Sequence, residues 1–184
     1  MNLMINLNDY SIFKNSIRTL KETSYDNINN EYMTESDIKV VNFDIAKDKY
    51  IAEHHLSNTS VHSVDALSCS NDSIVMIEFK NGSIENSNIR WKILESLLIF
   101  CDITNKNITY TRDTVEFVLV YNENNYKSNN VYVVIDGATA YLSKLAKTKN
   151  IKFGIDKYYS TLFKNAYTMS SKEFDIYKKN LISL

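Results

Sequence analysis

The chain has 184 residues, a mass of 21.3 kDa and a formal net charge of -1, with 44% hydrophobic and 23% charged residues. That is enough apolar content for one domain with its own core, and 1–184 reads as a single domain without repeat or linker. No run of about eighteen apolar residues could span a bilayer, and Met1 to Leu7 lacks the basic segment and apolar stretch of a leader, so a cytoplasmic protein is expected.

Asn8 to Lys21 places Ile12, Phe13, Ile17 and Leu20 at helical spacing behind Asn8 or Asp9 as a cap, which predicts an amphipathic first helix. Glu22 to Asn30 is polar and aperiodic and reads as a loop. Thr34 and Asp37 open a short helix to Val41. Asp44 caps another, with Ile45, Tyr50, Ile51 and Leu56 as its buried stripe and Glu53 near its end.

Ser63 to Lys80 reads as two strands joined by a polar turn at Asn71-Asp72. Alternation sends Glu78 and Lys80 to one face, and Ile77 and Phe79 to the other. Antiparallel pairing brings Asp65 across to the Glu78 and Lys80 end, so two acids and a base share one small patch. Asn81-Gly82 stops the second strand, and a helix follows from about Ser87 to Cys101. Its stripe of Ile89, Ile93, Leu97 and Cys101 is broadened by Trp91, Leu94 and Leu98, which predicts a mostly buried helix packed across the sheet.

An Asp on one strand, an acid-x-Lys on the next and a helix beyond resemble the PD-(D/E)XK nuclease superfamily, and within it small nuclease-like proteins of low-GC bacteria and mobile elements. The residues that carry the likeness are Asp65, Glu78 and Lys80, in the run VDALS, IEFKNG and IRWKILESLLIF. The proline of the family pattern is Val64 here; that position shapes backbone and supplies no ligand. The resemblance implies an α/β, restriction-endonuclease-like fold, with a mixed central sheet flanked by helices on both faces. It also implies Mg2+ or Mn2+ held by Asp65, Glu78 and the Phe79 carbonyl, with Lys80 acting on the water or the developing phosphorane charge. Glu53 is the position for a further acid from the preceding helix, against the reading of a solvent-facing glutamate. Arg90 and Lys92 lie where the family often adds a polar or basic group near the scissile phosphate, against plain surface roles.

Val115 to Tyr121 and Val131 to Ile135 read as core strands, Ala138 to Lys149 as a helix and Ile151 to Ile155 as a short edge strand. Ser170 to Glu173 fits a capping box before a last helix with Phe174, Ile176, Tyr177 and Leu181. Residues 144–184 carry nine Lys against Asp156, Glu173 and Asp175. Lys144, Lys147 and Lys149 are therefore the expected nucleic-acid contact, or else a solvated helix face.

Cys69 and Cys101 read as small core hydrophobes. His54, His55 and His62 lack a zinc-site spacing, which leaves surface or packing roles, with His62 at the margin of the Asp65 patch. Two functions follow: a magnesium-dependent nuclease acting on DNA in defence, a mobile element or a toxin system, or a noncatalytic nuclease fold that binds nucleic acid or a partner protein. A homodimer and a cognate inhibitor both suit this class.

Overall fold

The apolar runs 74–79 and 115–121 become the middle of a six-stranded mixed sheet. The computed structural model describes residues 4–57, 60–125 and 153–184. In chain order the strands are β1 (Ile17–Thr19), β2 (Tyr25–Asp26), β3 (Glu31–Tyr32), β4 (Lys39–Asn42), β5 (Ala66–Cys69), β6 (Ile74–Lys80), β7 (Val115–Tyr121) and β8 (Asn165–Ser170). The β2 and β3 strands form a separate ribbon, and the sheet order is β1-β4-β5-β6-β7-β8. Pairing is antiparallel from β1 through β6, then parallel from β6 to β7 and from β7 to β8.

Parallel neighbours need a crossover, and α4 (Asn86–Thr104) with α5 (Ile108–Thr114) supplies it between β6 and β7. The other helices are α1 (Ser11–Lys14), α2 (Leu20–Thr23), α3 (Phe43–Glu53), α6 (Asp156–Leu162) and α7 (Ser171–Tyr177). One face of the sheet, with Leu67, Ile74, Met76 and Phe117, packs against Phe43 and Ala46 of α3 and Ile89, Ile93, Leu97 and Phe100 of α4. The opposite face, with Val75, Ile77, Phe79 and Val118, packs against Phe174 of α7, Leu20 and Leu181. All seven residues of β7 are buried, as befits a central strand covered on both faces. Among the described residues no helix is long and apolar enough to cross a membrane.

The hairpin forms as its alternation requires. Ala66 faces Ile77 and Cys69 faces Ile74, and the turn closes with the Ser70 N–H donating to the Ser73 carbonyl at 2.7 Å. The Ser170 and Glu173 capping box is formed at the start of α7. Helix α4 runs longer than its apolar stripe and stops at Asn105, which takes the left-handed conformation at φ 51°.

Other stretches differ from expectation. The first helix is broken: α1 ends at Lys14, and the β-branched Ile17 and Thr19 pair with Val41 and Lys39. Tertiary pairing outweighs helical spacing there. The helix expected to reach Val41 is instead β4, because Val40 and Val41 fill the core between β1 and β5. Part of the expected loop 22–30 is β2. Helix α4 is less buried than its composition suggests, since Trp91 is 50% and Leu98 67% exposed on its outer side. Strand β8, absent from the sequence reading, is polar in composition and pairs along β7. The expected strand 131–135 and helix 138–149 lie outside the described residues, as do residues 151–152 of the expected edge strand; residues 153–155 form a turn.

Candidate active site

Antiparallel register sets Asp65 opposite Glu78, one step before the first paired residues of β5. The Asp65 N–H donates to the Ile77 carbonyl at 3.1 Å, and the Asp65 carbonyl accepts from the Phe43 N–H at 3.1 Å. The backbone of Asp65 is therefore tied both to β6 and to the start of α3. Its side chain turns to the α4 face, where Oδ2 accepts from the Phe79 N–H at 2.6 Å.

Glu78 is wholly buried on that face. An isolated buried carboxylate costs several kcal/mol, so its charge must be met locally. Lys92, on the second turn of α4, meets it. Its Nζ donates to Glu78 Oε2 at 2.9 Å, lies 2.7 Å from Oε1 and reaches Asp65 Oδ1 at 3.3 Å. Lys80 Nζ is 3.0 Å from Glu78 Oε1. Oε1 thus sits beside two positive charges yet receives no aligned hydrogen bond.

Burial first, and then the facing Glu78 carboxylate, push the Asp65 carboxyl up to about 7, against the pull of Lys92 and the Phe79 N–H. Burial lowers the proton affinity of Lys92, but Asp65 and Glu78 together outweigh it and hold the ammonium above the ordinary lysine range. The four groups form one charge-balanced cluster at the carboxyl end of β6. Open α/β sheets commonly place ligands at such strand ends.

Of the residues expected at the site, Asp65, Glu78, Lys80 and Lys92 come together, and the Phe79 backbone touches them through its N–H. Arg90 is exposed on α4, two residues and more than half a turn away from Lys92. Glu53 is exposed on the last turn of α3. The first turn of that helix instead brings Asp44 near the cluster, where its charge acts on both Asp65 and Lys92. Asp44 is not the cap it was expected to be: Asn42 caps α3, its side chain accepting from the Ile45 N–H at 3.0 Å. Asp44 accepts from the Ser63 hydroxyl and has Lys47 at 3.7 Å. Lys144, Lys147 and Lys149 lie outside the described residues.

A second buried carboxylate makes a useful contrast. Glu116, on the opposite face, accepts from Asn165 Nδ2 at 2.7 Å and from the Tyr177 hydroxyl at 3.3 Å. Uncharged donors satisfy it, whereas Glu78 depends on ammonium groups. Among the described residues, no three His, Cys, Asp or Glu side chains form a group suited to a metal ion. A surface hollow of about 350 Å³, lined by Tyr10, His54 and Asp102 among others, includes none of the cluster residues.

Sequence reasoning missed two features beside the cluster. One is Asp44, whose acid was assigned to capping. The other is Glu95, whose Oε2 lies 3.0 Å from Nδ1 of His62, the histidine expected at the margin of the Asp65 patch. The available signal was spacing: Glu95 follows Lys92 by three residues, one helical turn along α4. Comparison of the chain with protein-family models, with curated proteins and with solved structures found no match.

Proposed function

We propose that the chain is a metal-dependent nuclease of the PD-(D/E)XK kind, hydrolysing phosphodiester bonds of nucleic acid, with DNA as the favoured substrate. The observation that carries this reading is the facing pair Asp65 and Glu78, held together at a strand end with a buried Glu78 oxygen that lacks an aligned donor. That donor set suits a hard cation such as Mg2+ or Mn2+, which takes oxygen ligands and needs only one or two carboxylates when waters complete its shell. Asp65 and Glu78 would hold it. The Phe79 carbonyl adds a third oxygen on the same side, since the N–H and C=O of one strand residue point the same way and the N–H meets Asp65. When bound, such an ion lowers the pKa of a coordinated water and offsets charge on the phosphate.

The remaining roles belong to the two lysines. Lys80, anchored on Glu78, presents an ammonium that orients the attacking water and stabilises negative charge on the phosphorane. Lys92 bridges the carboxylates with a flexible side chain and can exchange them for phosphate oxygens.

The same bridge favours a second reading, a noncatalytic nuclease fold that binds nucleic acid or a protein partner, because Lys92 already supplies the positive charge that the carboxylates require. Cleavage of plasmid, single-stranded DNA and RNA with Mg2+ or Mn2+, beside a chelator control and calorimetric metal titration, separates them. Metal-dependent cleavage abolished in Glu78→Ala supports the nuclease; a folded wild type that neither binds metal nor cleaves any of the three leaves the binding module.

A further inference from the structure

The segment His62 to Asp65 lies outside any strand or helix, yet each of its residues is fastened. The His62 N–H donates to the Glu95 carboxylate, the Ser63 hydroxyl donates to Asp44, the Val64 N–H donates to Ser96 Oγ at 2.8 Å, and Asp65 bonds to Ile77 and Phe43 through its backbone. Two of these anchors, Glu95 and Ser96, belong to α4. The helix that delivers Lys92 to the carboxylates thus delivers Glu95 to His62 one turn later.

Glu95 Oε2 takes both the backbone N–H and ring Nδ1 of His62. A carboxylate on Nδ1 keeps the proton there, fixes the ring orientation and leaves Nε2 as the working nitrogen. The His62 side chain is 38% exposed and that of Glu95 27%, so the dyad is sheltered on its inner side and open on its outer side. Among the described residues Nε2 has no hydrogen-bond partner. Chain length alone keeps the two Cα atoms of His62 and Asp65 within about 10 Å, and both side chains lie against α4, at Glu95 and Lys92 one turn apart.

Resting on the nuclease reading above, we infer that His62 is the general acid of the reaction and that Glu95 is its positioning residue. The bond from the attacking water oxygen to phosphorus forms while the bond from phosphorus to the bridging oxygen breaks. The electron pair goes to that bridging oxygen, which takes the proton from Nε2 of the imidazolium. The proton released by the attacking water leaves with bulk water, and bulk water reprotonates His62. A group held by α4 on one side and open on the other is preorganised for this transfer.

The test compares an ordinary phosphodiester oligonucleotide with two bridging phosphorothiolates, sulfur replacing the 3′ or the 5′ bridging oxygen, because a thiolate leaves without a proton. His62→Asn should lose about 100- to 1,000-fold on the all-oxygen substrate. It should cleave one of the two thiolates within a few-fold of wild type. Glu95→Gln should show the same leaving-group pattern with a smaller loss, and Glu95→Asp should recover part of it; circular dichroism checks that each variant is folded. Equal losses on all three substrates, or no loss, overturn the assignment while the nuclease reading stands. A wild type that cleaves none of them with Mg2+ or Mn2+ removes both.

Discussion

Replacing Lys92 by methionine keeps most of the side-chain volume and deletes one charge, leaving Glu78 buried with Lys80 alone and Asp65 without its ammonium. Breaking a buried ion pair from one side costs about 3–5 kcal/mol. Two features hold the loss to the lower end. Lys80 remains 3.0 Å from Glu78, and Asp65 can take up a proton.

The second feature makes the loss depend on pH. In wild type burial and the facing Glu78 push the Asp65 carboxyl up to about 7, from an ordinary value of 3.8. The folded state therefore binds more protons than the unfolded chain between about pH 4 and 7, and this contribution is full below that window and lost as pH rises through it. At 1.36 kcal/mol per unit, its ceiling is about 4 kcal/mol. Without Lys92 the titration moves upward and the decline continues past pH 7. Lys92→Met should thus cost about 3 kcal/mol at pH 8 and about 1–2 kcal/mol at pH 5, with the pH 5 value set by Glu78 alone. Urea unfolding followed by circular dichroism at both pH values measures this. A cost under about 0.5 kcal/mol at pH 8, or the same cost at both, refutes the account of Lys92 as the cation shared by the two carboxylates.

Glu78→Ala should abolish metal binding and turnover together, whereas Lys80→Ala should lose turnover and keep or tighten metal binding; titration calorimetry beside a cleavage assay reads the split. Reversing Lys144, Lys147 and Lys149 together should weaken DNA binding and flatten the slope of log K against log salt by about 3, while an unchanged slope points to another docking surface. Leu98→Glu, on the outer side of α4, should change unfolding free energy by less than about 0.5 kcal/mol. Ile93→Ala, on its buried side, should cost about 2–4 kcal/mol, and similar values for the two would contradict the helix orientation.

The hairpin was legible because its information is local: alternation along 74–80, a polar turn and an Asp whose register follows from that turn. The triplet Asp65, Glu78 and Lys80 came with it. Lys92 was legible as a candidate beside the site but could not be told from Arg90, since its reach to both carboxylates depends on how α4 docks, and helical spacing does not encode docking. Asp44 and Glu53 illustrate the same gap: both sit on α3, and only the tie between Phe43 and Asp65 decides which end of the helix meets the cluster. The first helix was misread because Ile12, Phe13, Ile17 and Leu20 fit helical spacing, while the partner that draws Ile17 into a strand lies more than twenty residues away. Strand β8 carries too few apolar residues to announce itself, and the exposed edge of β7 selects it.

The split of the sheet into an antiparallel half and a parallel half bears on the order in which the molecule assembles. Strands β1, β4, β5 and β6 all lie within the first eighty residues, while β7 and β8 join only after long crossovers. Short loops close before long ones, so the hairpin with its two carboxylates should form ahead of the α4 crossover that carries Lys92. In that order of events the two acids would face Lys80 alone until Lys92 arrives, and the docking of α4 should be electrostatically guided. Dissolved salt screens that guidance, so refolding should slow as ionic strength rises even where the final stability hardly changes.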